Sequence, residues 1–238
     1  MNFGKVTIPQ EVYLEFLDET IPIHWENHAY LMVFIWLVMV SICILAIRFG
    51  KPKPSERGIE TKISMTNPLW WWFSIHKYGL YTAVALAICA GTIAFIVSEG
   101  FSGSLHAYFG SATLVMGILQ VVSSWFRGRH GGMYYYTATE GDPETFKGDH
   151  YNMTTRRRLF EAYHKTAGYV TGFFALGAIG SGLMQFPLPG LAVTVFIFFG
   201  IIAIAWMIFQ YKGRQHDGYR AVFGYGLEHP YNKAREKL

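Results

Sequence analysis

Four stretches of this chain carry no Asp, Glu, Lys or Arg, and no other feature restricts its fold as strongly. Residues 27–47 form the first, ended by Arg48, and 78–98 the second, preceded by His76 and Lys77. The third runs over 100–126 and stops at Arg127. The fourth, 166–211, is long enough for two membrane crossings at about 20 apolar residues each, and FPLPG at 186–190 breaks it in the middle. Backbone without internal hydrogen bonds is not tolerated facing lipid, so the Pro-Gly pair favours a tight turn between two helices. The reading is an all-α integral membrane protein with five transmembrane helices, at about 27–48, 69–98, 104–127, 160–185 and 190–211, the first four forming a four-helix bundle. Residues 1–26 precede the membrane domain 27–211, and a tail of 212–238 follows it.

Composition agrees. Only 15% of the 238 residues are charged, against about 25% in an average soluble domain. Aromatic residues make up 17%, including seven Trp, which suits membrane interfaces or flat prosthetic groups. Cys43 and Cys89 both lie in apolar runs, which excludes a disulfide scaffold, a thiolate metal site and a C-x-x-C-H attachment for covalent haem. The first apolar run follows about 26 polar residues and is too long for a signal-peptide core, so no cleavable signal is expected.

Five crossings put the termini on opposite sides. The side that holds residues 1–26 and the turns near 99–103 and 186–190 carries one basic residue, Lys5, whereas the other carries 19 of the 20 Lys and Arg. The positive-inside rule makes the second side cytoplasmic, with the N-terminus outside. The expected location is a bacterial inner membrane. This asymmetry accounts for the net charge of +4 as a topology signal in a lipid bilayer, so no nucleic acid partner is implied.

Of nine histidines, four sit in or at the edge of the spans: His28, His76, His106 and His164, each near the N-terminal end of a different helix among the first four. Consecutive helices run antiparallel, so His28 and His106 share the outer side and His76 and His164 the cytoplasmic side. Two imidazoles facing each other suit a non-covalent haem b held from both faces. The expected cofactors are two haem b groups, bis-histidine, with His28/His106 and His76/His164 as the iron ligands. Small residues beside each ligand would seat a porphyrin edge: Gly79 follows His76 by three positions, Gly110 follows His106 by four and Gly168 follows His164 by four, spacings that share a helix face. For each glycine alone, helix–helix packing is the competing reading. His24 stands one turn before His28 and competes as the outer ligand. His130, His150, His216 and His229 lie in polar segments and read as solvated.

The chain resembles the cytochrome b561 superfamily, particularly the form that accompanies DOMON domains and ferric or ascorbate reductases. The resemblance covers about residues 28–185. It rests on HAYLM at 28–32, PLWWWFSIHKYG at 68–79, SLHAYFG at 104–110 with Gln120 downstream, and RRRLFEAYHKTAG at 156–168 with Gly182-Leu183 beyond. It implies that the four histidines bind two b haems in the pairing already drawn. Two departures accompany it. No DOMON or other soluble domain is expected within these residues, and five helices stand where the family has six, the leading one lacking.

Haems at the two faces, separated by about 20 Å of helix rise, imply transmembrane electron transfer, with Trp36, Phe95 and Phe174 filling the space between. Lys77, Lys165, Arg127 and the run Arg156, Arg157, Arg158 read as partners of the cytoplasmic haem's propionates or of an anionic or quinol substrate. Contact with lipid phosphate is an equal alternative. The acidic N-terminal residues Glu11, Glu15, Asp18 and Glu19 would suit a basic cytochrome c, although a solvated tail is the preferred reading there. The fifth helix, with Gly190 and Gly200, reads as lipid-facing packing or a contact in a homodimer or larger membrane complex. The tail from Lys212 is too apolar for free solvation and is expected along the cytoplasmic surface or on a partner.

Three functions compete. One is an oxidoreductase component that conducts electrons between a quinol or other small redox molecule and an acceptor across the membrane. Another is a membrane-anchor haem subunit linking the quinone pool to a separate soluble redox protein. The last is a haem-free protein whose histidines conduct protons. The first is preferred.

Overall fold

Each apolar run becomes a helix whose ends are set by its flanking residues. In the computed structural model the described residues are 9–55, 67–127, 139, 145 and 155–224. Among these residues five helices are long and apolar enough to cross a membrane: α1 (Trp25–Phe49), α2 (Trp71–Val97, entered through a tighter turn at Pro68–Trp70), α3 (Leu105–Trp125), α4 (Thr155–Gln185) and α5 (Pro189–Tyr211). A short helix, α6 (Gly218–Phe223), follows.

The starts follow capping chemistry. The Asn67 side chain accepts from Leu69 N–H ahead of Pro68, whose missing N–H costs nothing in a first turn. Ser104 Oγ accepts from Ala107 N–H at the head of α3. Helix α4 begins at Thr155 rather than 160, because Arg157, Glu161 and Lys165 pair at i,i+4 spacing (3.1 and 3.8 Å) and carry the helix into polar sequence. Within α1, Phe34–Met39 winds as π-type turns, a local widening that regular periodicity does not announce.

Two helices end in the same hydrogen-bond pattern on different residues. After α5, Gly213 takes a φ of 63°, and the N–H groups of Gly213 and Arg214 bond back to Gln210 and Phe209. After α2 the equivalent left-handed position is Glu99, φ 56°, with Glu99 and Gly100 bonded to Ile96 and Phe95. Glycine meets this requirement without strain, whereas a residue with a Cβ gives up about 1–2 kcal/mol.

The membrane spans are all helical as expected, and one small sheet precedes them. Glu11–Leu14 (β1) and Glu19–Pro22 (β2) form an antiparallel hairpin, with Val12 opposite Ile21 and Leu14 opposite Glu19. Asp18 supplies the left-handed turn residue at φ 52° and accepts from the Tyr13 hydroxyl. Short polar residues visit that region most readily.

The described residues divide into two compact units: those of unit one lie within Met1–Ser41, Leu80–Val121 and Ala167–Ile202, and those of unit two within Ile42–Gly79, Val122–Thr166 and Ala203–Leu238. In unit one, Ile35 of α1 packs with Ala83 and Ala87 of α2 and Leu114 of α3. On another face, Val33 and Leu37 meet Ile179 and Leu183 of α4 and Leu191, Val195 and Phe198 of α5. Close approaches need glycine: a Cβ on Gly177 would come within 2.8 Å of the Phe109 ring, and one on Gly91 within 2.6 Å of Leu114. Helix α5 thus buries one stripe against α1 and α4, while Phe196, Ile197, Ile201 and Ile204 stay exposed, as lipid contact requires. Nothing lies within 4 Å of a Cβ built on Gly190 or Gly200.

In unit two, Phe49 packs edge-on against Trp206 and beside Phe209, with the Arg48 guanidinium 4.2 Å above the Trp206 ring. The segment after α5 attaches to the chain itself: Arg48 donates to Gln215, Lys51 Nζ donates to the His216 carbonyl at 3.1 Å, and Ala221 and Val222 are buried. Burial lowers the Lys51 pKa from its usual value; Asp217 opposes that shift and the neighbouring Lys165 and Arg48 add to it.

Candidate functional site: two facing histidine pairs

In unit one, α1 presents His28 and α3 presents His106. Their ring centroids are 6.2 Å apart and their planes cross at 87°. In unit two, His76 of α2 and His164 of α4 repeat the arrangement at 6.2 Å and 82°. The structure therefore brings together the four histidines in the two pairs expected from helix polarity. His24 is not part of a pair: its ring binds the Glu26 carboxylate at 3.0 Å and is 62% exposed. His130, His150 and His229 lie outside the described residues, and His216 contributes its backbone carbonyl to Lys51.

In each pair one ring is anchored at Nδ1 by a backbone carbonyl. His106 Nδ1 stands 2.9 Å from Ala178 O of α4. His76 Nδ1 stands 3.3 Å from Cys43 O of α1, and the Cys43 thiol donates to Ile75 O. A carbonyl can only accept, so Nδ1 carries the proton and Nε2 keeps its lone pair, the arrangement of a metal-ligating imidazole with a hydrogen-bonded outer nitrogen. The partner rings make aromatic contacts. Phe160 stacks on His164 at 5.1 Å and 21°, and Trp25 meets His28 edge-on at 6.3 Å.

The spacing tests whether a metal fits. A metal between two imidazoles lies about 2 Å from each nitrogen, and each ring centre lies about 1.15 Å behind its nitrogen, so the centroids would stand about 6.3 Å apart. Both pairs meet that value. Among the described residues no group of three or more His, Cys, Asp or Glu could hold a metal ion. A cavity of about 250 Å³ opens beside the first pair, lined by both rings together with Trp36, Gly110 and Gly182.

The glycines divide by surroundings. A Cβ on Gly110 would meet nothing within 4 Å, and one on Gly168 only Gln120 at 3.6 Å, whereas one on Gly79 would lie 2.5 Å from Cys43 Sγ. Gly110 thus faces open space, and Gly79 lets α2 approach α1. Gly182, which spacing from the histidines did not single out, stands against a histidine ring: its Cβ would come 2.9 Å from His106 Nδ1. No local periodicity connects residues 106 and 182. Of the cations, Lys165 pairs with Glu161, Lys77 Nζ lies 4.9 Å from the Tyr78 ring centre, Arg127 lies over Phe73, and Arg156 Nε donates to Phe126 O.

The two surroundings differ in charge. Unit one contains six acidic residues and one basic, net −5; unit two contains ten acidic and 19 basic, net +9.

No family model matches the chain, and no solved structure does. Among curated proteins it is similar to ferric-chelate reductase 1 of Homo sapiens, 26% identical over 166 residues, which are 69% of this chain and 23% of that protein. Putative ferric-chelate reductase 1 of Xenopus laevis is 30% identical over 173 residues, 71% of this chain and 24% of the relative. Ferric-chelate reductase 1 of Bos taurus is 26% identical over 166 residues, with shares of 69% and 22%. The chain spans about a quarter of the length of these relatives.

Proposed function

We propose that this protein is a transmembrane electron-transfer component that holds two b-type haems, one between His28 and His106 and one between His76 and His164. The observation that carries the reading is the duplicated geometry: two ring pairs, each with centroids 6.2 Å apart and each with one Nδ1 anchored on a backbone carbonyl. The similarity to proteins named ferric-chelate reductases supports electron transfer as the chemistry. A haem, when bound, supplies a one-electron iron couple in a low-dielectric setting.

The chain's own residues hold and tune. Ala178 O and Cys43 O fix the tautomer of one ligand in each pair, Trp25 and Phe160 restrain the other, and Gly110 leaves room beside His106. The positive-inside rule orients the N-terminus away from the cytoplasm, so unit-two cations such as Lys77, Lys165 and Arg127 meet an anionic or quinol reductant, or haem propionates. The acceptor is served from the His28/His106 side.

Haem extraction and a reduced-minus-oxidised spectrum of the purified chain test this. Two haems per chain, with a b-type α band, are expected; a preparation without that band overturns the reading.

A further inference from the structure

The cavity beside His28 and His106 has a rim joined to the hairpin that precedes α1. Pro9 and Trp25 line it, and they tie the β1–β2 hairpin to it. Trp25 Nε1 donates to Pro9 O at 2.7 Å, and Ile23 N–H donates to Gln10 O at 2.8 Å, closing the ladder at its open end. The other end of the hairpin is unusual for a polar turn. Phe16 is 79% exposed, Leu17 52% and Tyr13 55%, and Glu11, Glu15, Asp18 and Glu19 stand among them. Exposed aromatic and aliphatic side chains on a turn that its own hydrogen bonds already hold mark a contact surface rather than a folding requirement.

We propose that this hairpin is the docking surface for a small soluble electron carrier whose cofactor edge is surrounded by basic residues. The proposal rests on the electron-transfer reading for its purpose. Charge complementarity selects the occupant. The unit is net −5, and none of the residues lining the cavity is Lys or Arg; Glu26 and Glu99 directly follow the lining residues Trp25 and Ser98. A small apolar centre within a charged ring is what brief redox encounters need: the ring steers and orients the partner, and the centre supplies modest short-range attachment. The same carboxylates disfavour an anionic lipid surface, because they would be repelled by its headgroups and dehydrated on insertion. The hairpin also leads inward, since Trp25 stands 6.3 Å from the His28 ring.

The test uses the full chain in nanodiscs of neutral phosphatidylcholine, with a basic and an acidic c-type cytochrome as probes. Binding is followed by titrating each isotope-labelled cytochrome with nanodiscs, a measurement that needs no haem in this chain; electron transfer is followed by stopped flow after chemical reduction. At low salt the basic probe should bind and be reduced about tenfold faster or more, an advantage that salt removes. Glu11→Lys, Glu15→Lys and Glu19→Lys together should abolish that preference. Phe16→Ser with Leu17→Ser should weaken binding while keeping its salt dependence. Selective binding by a chain that takes up no haem would support the surface and sink only the electron-transfer reading. Equal binding of both probes, or unchanged binding in both variants, overturns the proposal. So does a Phe16→Trp variant whose fluorescence is quenched by brominated lipid chains in the absence of carrier, which would make the hairpin a bilayer anchor.

Discussion

The two histidine pairs have the same ring spacing but different support. His106 is anchored on Ala178 O at 2.9 Å and its ring lies against Gly182 of α4. His76 is anchored at 3.3 Å on Cys43 O, and the crowded glycine nearby, Gly79, meets the Cys43 thiol rather than a ligand ring. The first pair sits in a unit of net −5 and the second in one of net +9. Equal spacing with unequal surroundings is how one scaffold gives two like centres different properties, because second-shell hydrogen bonds and nearby charge tune a metal site without changing its ligands.

The largest expected effect separates the pairs outright. His106→Ala and His76→Ala should each remove one of two bound haems, and the double variant both, as read by pyridine haemochrome content. Loss of both haems from either single variant would show that the pairs do not act independently. Next comes the difference in glycines. Gly182→Ala and Gly79→Ala should each cost about 1–3 kcal/mol through overpacking, measured by thermal unfolding in detergent. Cys43→Ala should rescue the second, whose clash is with a removable sulfur. The first has no such rescue, since the clashing atoms belong to His106 itself.

Potential sharpens the comparison further. The shorter Nδ1–H···O contact, at His106, makes its imidazole the stronger donor, and surrounding carboxylates favour the ferric form, so both differences act in one direction. The centre left in a His164→Ala variant, at His28/His106, should titrate at a lower midpoint than the centre left in a His28→Ala variant. Equal midpoints in spectroelectrochemical titration would remove that difference. The smallest effect concerns the two left-handed helix ends. Glu99→Gly should stabilise the chain by about 1 kcal/mol, whereas Gly213→Ala should destabilise it by a similar amount; thermal midpoints measure both.

Much of this was legible in the residues. Charge-free runs located the five helices, and antiparallel succession paired the histidines, because both properties are local to a helix or depend only on helix order. What escaped depends on contacts between distant residues. Gly182 against His106 and Cys43 O at His76 join helices whose relative rotation no periodicity reports. Helix α4 starts at Thr155, ahead of the apolar run, and Arg157 in that added turn pairs with Glu161. The hairpin left a trace in the alternation of Glu11-Val12-Tyr13-Leu14 and the Phe16-Leu17-Asp18 turn, but runs of four residues are too short to outweigh an acidic composition.

The missing side chain at Gly182 has a mechanical consequence. With the α4 backbone pressed against its ring and Ala178 holding its proton, His106 is held by α4 as well as by α3, which carries it in sequence. Sliding α4 by an ångström would drag the imidazole with it and alter its grip on whatever lies opposite His28. A load on that helix, from lipid thickness or from a docked neighbour, would then register as a change in the spacing of the two rings and in the midpoint of any haem they hold.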